Sequence, residues 1–515
     1  MKKALYKKSA ILLSMFGLLL SSCTKDFQEI NTDPNNIPHA LPQQLLAPAL
    51  VSTLSYNMIR NRNFNNELMQ VTVDMSDAEG KVFRYDYRSN WSDYLYNGWY
   101  SELTNFKDIY NIASDTASTT NYNKSYMGVS LICQSWIYSL LTDTYGDIPY
   151  FESNKAKKEE GSIMEPAFDK QKDIYFDIFK RLEEANTLLS EGTAITASSD
   201  PVYNGSISKW RKFGNSLYLR LLLRVSGKAE VASDVIAKFK QIVDNPSAYP
   251  IMTNNDESAI LKWTGISPYT SPLLTVREQD FRAPGIASFF IDNLVIWRDP
   301  RIDLGYGTGT PTLTNRWAIA PYQGAFEGIP SGYSPGNAPI RKSYFYSITN
   351  NNNTGPTLMS EPLAGMIMNY AELKFILAEA AVKGWIAGDA ETYYNDGVKN
   401  SITLWLPNWS VPVTTYLQDA AMEWIPGATV DEKMERIHLQ KYYALFLNDL
   451  QQWFEYRRTG HPALPQGSGL RNNGVMPARM TYPVYVQSTN PTNYQIAVAS
   501  QGPDVISTQV WWQKP

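Results

Sequence analysis

Histidine and cysteine are nearly missing from this sequence, with three of the first and two of the second in 515 residues. His39, His438 and His461 have no zinc-ligand spacing, and no H-E-x-x-H occurs. No nucleophile stands out that a histidine could activate as in a catalytic triad. Basic clusters are also absent beyond the first residues, and the net charge is −4. That balance speaks against a nucleic-acid partner. No apolar run reaches the roughly 20 residues that a membrane-spanning helix needs. The sequence thus lacks the usual marks of a metalloenzyme, a nucleic-acid binder and a spanning membrane protein.

What is present starts at the N-terminus. Lys2, Lys3, Lys7 and Lys8 precede a short apolar core, Ala10 to Leu20, that ends in Leu20-Ser21-Ser22-Cys23. Residues 1–22 read as an export signal. The small residues before Cys23 resemble the lipobox of bacterial lipoproteins, in which the cysteine thiol takes the lipid. Cys23 is the expected lipidation site, and two or more acyl chains would anchor the chain stably. A lipidated Cys23 leaves Cys133 without a disulfide partner. Cys133 falls in the apolar stretch 129–141 and reads as a buried, inert thiol. A secreted chain without disulfides needs a large core, and 515 residues with 43% hydrophobic composition can build one.

Residues 23–40 read as a lipidated tether and residues 41–515 as one domain. Apolar residues recur at helical spacing over 45–58, 91–112, 122–141, 171–189, 207–225, 366–384 and 433–454. Ser208 or a neighbour is placed to cap the helix beginning near Lys209. Between about 246 and 361, Pro, Gly, Asn, Ser and Thr dominate, which predicts loops and short strands. The segment 461–515 is expected to be irregular. The expectation is a mainly all-α chain. Its helical-pair scaffold covers about 41–245 and 362–460, with a loop-rich insert between. No clean 34-residue repeat marks it as tetratricopeptide-like on sequence alone.

Gly332-Tyr333-Ser334-Pro335-Gly336 matches the G-x-S-x-G pattern of serine hydrolases. Pro335, however, has no N–H to give an oxyanion hole, so a loop is the better reading. The acidic run Asn254 to Glu257 fits no EF-hand spacing. Paired carboxylates for glycoside hydrolysis do not stand out among 50 acidic residues. Binding remains. Aromatic residues make up 13% of the chain. Trp136, Trp210, Trp385 and Trp453 lie in periodic helices and read as core. Trp263, Tyr269, Trp317, Tyr322 and Tyr344 lie in the insert, and Arg84, Tyr85, Tyr87, Arg88 and Trp91 cluster before a helix. Loops carry function more often than scaffold does. Arg84, Tyr85, Trp91, Trp263, Trp317 and Tyr322 are therefore the candidate ligand contacts, with packing an equal claim on each.

Several segments together resemble the SusD/RagB family of outer-membrane nutrient-uptake lipoproteins, in its starch-binding-associated branch. They are Asp26 to Asn35 (DFQEINTDPN), Tyr145 to Tyr150 (YGDIPY), Asp200 to Gly205 followed by Lys209-Trp210, Ala371 to Trp385, Gln440 to Pro462 and Val510-Trp511-Trp512. Ser206 and Gly214 depart from the branch, which usually has Asp and Ala there. The resemblance implies four tetratricopeptide-like helix pairs with a loop-rich ligand face, no catalysis and no cofactor. It implies a surface position on the outer membrane through the lipid anchor. It further implies a SusC-like TonB-dependent β-barrel as partner and an oligosaccharide or other oligomeric nutrient as ligand. An oligopeptide-binding lid and, from another class, a glycoside hydrolase are the alternative readings.

Overall fold

A computed structural model describes residues 40–118, 121–156, 161–303, 315–350 and 356–514. The signal segment, Cys23 and the tether up to residue 39 lie outside the described residues. The chain divides into a short unit, Met1–Leu41, and a large one, Pro42–Pro515. The following concerns the large unit.

Its helices of nine or more residues are α1 (Pro42–Arg60), α2 (Trp91–Ala113), α3 (Lys124–Tyr145), α4 (Gln171–Ser190), α5 (Ile207–Val225), α6 (Ala232–Asp244), α7 (Ser288–Ile296), α8 (Tyr370–Val382), α9 (Ala390–Trp405), α10 (Val430–Ala444), α11 (Gln451–Thr459) and α12 (Pro491–Gln501). From α1 to α6 each helix packs on the next, and α8 packs on α9 and α10. Each helix thus buries a face that it could not bury alone. The two blocks meet where α5 lies against α8. There Arg220 clasps Glu372 through two 2.6 Å bonds in the fully buried interior. The mainly helical scaffold expected from the sequence is present.

Local chemistry fixes the helix ends. Asn123 starts α3 by accepting from the backbone N–H groups of Ser125 and Tyr126. Asn369, Asp389 and Thr429 cap α8, α9 and α10, and Thr429 forms a capping box with Glu432. Ser206, rather than Ser208, caps α5. Gly460 ends α11 in the left-handed conformation, φ 75°. Gly214, the departure from the family pattern, sits where α3 crosses α5. A Cβ there would come 2.7 Å from Ile132 Cδ1, so alanine would require the Ile132 side chain to shift. Cys133 is buried in α3. Burial, with the charge of Asp200 adding to it, holds its thiol well above the ordinary range and leaves it inert.

Three segments differ from the sequence reading. The periodic run 433–454 is two helices, because Leu447 and Asp449 adopt φ of 70° and 31° and break it. Within 366–384 the first residues form a strand, Gly365–Met368, so Ile367 lies outside the helical face. The segment 461–515 is less irregular than expected: Pro491 opens α12 at a position where its missing N–H costs nothing. Among the described residues of the insert the strands are two or three residues long. Thr72–Val73 (β1) pairs antiparallel with Gly285–Ile286 (β3), Ala259–Leu261 (β2) with Gly365–Met368 (β6), and Ile319–Ala320 (β4) with Tyr344–Phe345 (β5). Among the described residues no helix is long and apolar enough to cross a membrane.

Candidate ligand-binding face

The end of α1, the start of α2 and the insert form one face. Arg60, the last residue of α1, lies with its guanidinium 4.7 Å from the ring centre of Trp91 and 4.6 Å from that of Tyr94. Tyr94 in turn meets Tyr56 edge-on at 5.2 Å. All four side chains are half-buried, so each keeps an accessible edge. The i, i+3 spacing of Trp91 and Tyr94 on α2 places both rings on one side of the helix. Burial lowers the pKa of Arg60, with Tyr94 and Tyr145 acting in the opposite sense. Among the described residues its Nε–H has no hydrogen-bond partner.

Two residues on, Arg62 donates 2.8 Å to the carbonyl of Asp280 and ties this patch to the insert. Beside Asp280 a cleft of about 470 Å³ is lined by Met75, Gln279, Arg282, Ala283 and Arg341. Arg341 donates to the carbonyl of Arg282 and lies 4.2 Å over the ring of Tyr344. Arg282 donates 3.0 Å to the Ser347 hydroxyl. The cleft therefore holds two oriented guanidinium groups and an exposed amide, with the half-buried ring of Tyr344 against Arg341. Rings can cover the apolar C–H faces of a sugar, and fork-shaped donors can meet its oxygens.

Of the residues expected as ligand contacts, Trp91 alone lies in the ring patch. Arg84 is 3% exposed and acts as a clamp. It donates to the Tyr333 carbonyl at 2.8 Å and to Asp77 at 2.6 Å, and it stacks on Phe83 and Tyr333. Tyr85 is 4% exposed and adopts the left-handed φ of 59°, which turns the chain back after that clamp. Trp263 is 2% and Trp317 0% exposed. Trp317 packs on Phe290, Trp405 and Phe446, with the Arg301 guanidinium 5.1 Å away. Burial leaves these four without a face for a ligand; Tyr85, Trp263 and Trp317 join the same hydrophobic core as the helices, which their loop-rich sequence hid. Tyr322 is half-buried at the base of a tight turn, where Gln323 and Gly324 both have positive φ. It lies near Lys342 but not in the cleft.

Arg60, Tyr56, Tyr94, Gln279, Arg282 and Arg341 escaped sequence reasoning. Tyr56, Arg60 and Tyr94 sit within helical periodicity, where rings and cations read as scaffold. Only the folded chain brings Arg282 and Arg341 together.

Under the face lies Glu67, buried after the end of α1. Burial raises its carboxyl pKa to about 8, and Asp74 pushes in the same direction; Lys81, the Phe83 N–H and Arg62 only partly offset this. The loop above it is pinned by the Lys81–Asp74 and Arg84–Asp77 ion pairs.

Two other constellations have plain structural roles. Glu379, His438 and Glu455 bring ligand atoms within 4.8 Å of one another. Cations already hold the two carboxylates: Arg458 reaches both, Lys383 reaches Glu379 and Lys441 reaches Glu455. A metal ion would meet that positive charge, so the trio is a charge network. Ser334, in the G-x-S-x-G segment, lies in a loop and shares a 2.9 Å hydrogen bond with Ser468.

The chain is a stacked helical scaffold that carries a face built partly from irregular segments. The chain belongs to the SusD-like family described as starch-binding associating with outer membrane, whose model matches residues 34–483. Solved structures agree in fold. A SusD homolog from Bacteroides fragilis shares 24% identity and a TM-score of 0.74, covering 92% of this chain and all of its own. A chitin-binding SusD homolog from Flavobacterium johnsoniae shares 20% identity and a TM-score of 0.73, covering 92% and 98%. A SusD homolog from Bacteroides uniformis shares 24% identity and a TM-score of 0.72, covering 93% and 100%. Among curated protein sequences none matches this chain.

Proposed function

We propose that the protein captures an oligosaccharide on the loop-rich face. Tyr56, Arg60, Trp91 and Tyr94 would supply the ring patch, and Gln279, Arg282 and Arg341 the polar contacts. The observation that carries this reading is family membership over nearly the whole chain, in a family described by starch binding and the outer membrane. The chitin-binding homolog of the same fold adds support for a glycan. In this reading a SusC-like TonB-dependent β-barrel is the partner and the protein is its lid. Lipid on Cys23 would hold it to the outer leaflet. The face holds its ligand by rings and fixed donors and performs no chemistry on it.

Titration calorimetry of the full chain in detergent, against chito-, malto- and xylo-oligosaccharides and a set of random peptides, tests this. The expected result is saturable binding of a glycan without turnover, weakened about tenfold by Arg341→Ala, the scale of a hydrogen bond to a charged group. Binding of peptides alone would move the reading to an oligopeptide lid, and release of shorter sugars would overturn the non-catalytic assignment.

A further inference from the structure

A larger cavity, about 820 Å³, lies on other elements: α2, α3, α4 and the segment that follows α3. It shares no lining residue with the loop-rich face. Four cations line it, Lys107, Lys155, Lys180 and Arg181, against three carboxylates, Asp108, Asp177 and Glu184. Two of those carboxylates are engaged by phenols. Asp177 accepts from Tyr150 at 2.6 Å and from Arg181 at 2.7 Å, and Glu184 accepts from Tyr110 at 2.8 Å. Lys107 donates to the Ser153 carbonyl and hydroxyl at 2.8 and 2.9 Å, which leaves its third N–H for a ligand. Burial, then the charges of Arg181 and Lys155, lower the Lys107 pKa to about 8, the mark of a cation short of negative company.

The cavity also offers a ring. Phe151 follows the Tyr145–Tyr150 motif and is 46% exposed. Its backbone N–H donates 2.9 Å to Asp169, and its ring stands edge-on to Tyr150 at 4.9 Å, so the exposed face is held in place. The groove continues. A neighbouring hollow of about 420 Å³ shares Thr104, Ser153 and Asn154 and adds Tyr96, Tyr100 and Tyr485. A fixed ring beside a cationic floor, in a trough this long, suits a chain of sugars carrying acid groups better than a small ion. Residues 157–160 lie outside the described part and carry none of this.

We propose that this cleft is a second ligand site, for an anionic oligosaccharide whose carboxylate or sulfate groups meet Lys107, Lys155, Lys180 and Arg181 and whose rings pack on Phe151. It does not depend on the loop-rich face being a glycan site.

The test is titration of the full chain in detergent with a galacturonate hexamer, a sulfated heparin-derived hexasaccharide and neutral maltohexaose. The expected result is binding of at least one acidic probe, weakened about tenfold by Lys107→Met and by Phe151→Ala, and about threefold by the exposed Lys155→Ala. Raising salt from about 50 to about 300 mM should weaken it further. Which acidic probe responds tells carboxylate from sulfate, and Lys240→Ala, on the far helix α6, should change nothing. The proposal is overturned if neither acidic probe binds, if all three cleft variants bind as the parent does, or if Lys107→Met weakens the neutral probe equally. A neutral glycan lost on Arg341→Ala but not on Lys107→Met reports on the loop-rich face instead.

Discussion

The junction of α8, α10 and α11 and the floor of the candidate face both bury carboxylates, and they treat them in opposite ways. At the junction Glu379 is fully buried, with Arg458 at 2.7 Å, Lys383 at 2.6 Å and His438 at 3.4 Å. Burial pushes its carboxyl up, but Arg458 and His438 outweigh that and hold it well below the ordinary range. Under the face, Glu67 has cations only at a distance and an acidic neighbour in Asp74, and its pKa rises to about 8. The scaffold compensates its interior charge. The face leaves one uncompensated beneath a loop that already holds Gln70 and Tyr85 at positive φ. Strained backbone and poorly matched charge gather where ligand contact is expected.

Removing the compensated carboxylate should give the largest effect. Glu379→Ala strips Arg458, Lys383 and His438 of a shared partner, and breaking a buried pair from one side costs about 3–5 kcal/mol. Urea unfolding at neutral pH should show a loss of that order. The pH dependence has a defined sign. A depressed folded-state pKa gives stability that is present above the unfolded carboxylate pKa and is lost as pH falls through the folded value. The variant should therefore lose less stability than the parent on acidification. An equal acid response in both would show that Glu379 is not the compensated charge.

A second comparison sets two tryptophans side by side. Trp317 is fully buried, and Trp317→Ala should cost about 3–4 kcal/mol of stability through the cavity it leaves. Trp91 keeps an open edge beside Arg60, and Trp91→Ala should cost about 1 kcal/mol of stability or less while weakening glycan binding. Melting curves and binding isotherms on the two variants check this. Similar melting losses in both would erase the distinction between loop core and ligand face.

That distinction marks how much of the molecule could be read from the sequence. Helices α2 to α5 stood out within a few residues, because their apolar spacing and caps are local properties. Pro, Gly and Asn end regular structure by their own chemistry, and among the described residues 246–361 the strands are two or three residues long and α7 is the one helix of nine residues. The site was mostly hidden. Trp263 and Trp317 sit in irregular sequence but pack into the main helical core, since the insert folds back onto the helices. Arg341 and Arg282 are 59 residues apart and meet through a side chain and a backbone carbonyl, a contact with no sequence period. In sequence Arg84 clusters with Tyr85, Tyr87, Arg88 and Trp91, but in the fold it stacks on Phe83 and Tyr333 and pairs with Asp77 at 2.6 Å, a placement no sequence spacing shows.

The carboxylate under the face gives a smaller effect than Glu379 or Trp317, and of opposite sign. Glu67 has a folded-state pKa near 8 against an ordinary value of 4.5. A raised carboxyl pKa means that the folded protein holds a proton the unfolded chain releases. Folding is then penalised increasingly as pH climbs from about 4.5 to about 8. Glu67→Gln keeps the shape and the acceptor for the Phe83 N–H but cannot ionise. It should be more stable than the parent by roughly 1–3 kcal/mol at pH 8, with the gain vanishing near pH 4.5. Denaturant midpoints across that range measure it. If the variant gains nothing at pH 8, the carboxylate is compensated after all and the contrast with Glu379 fails.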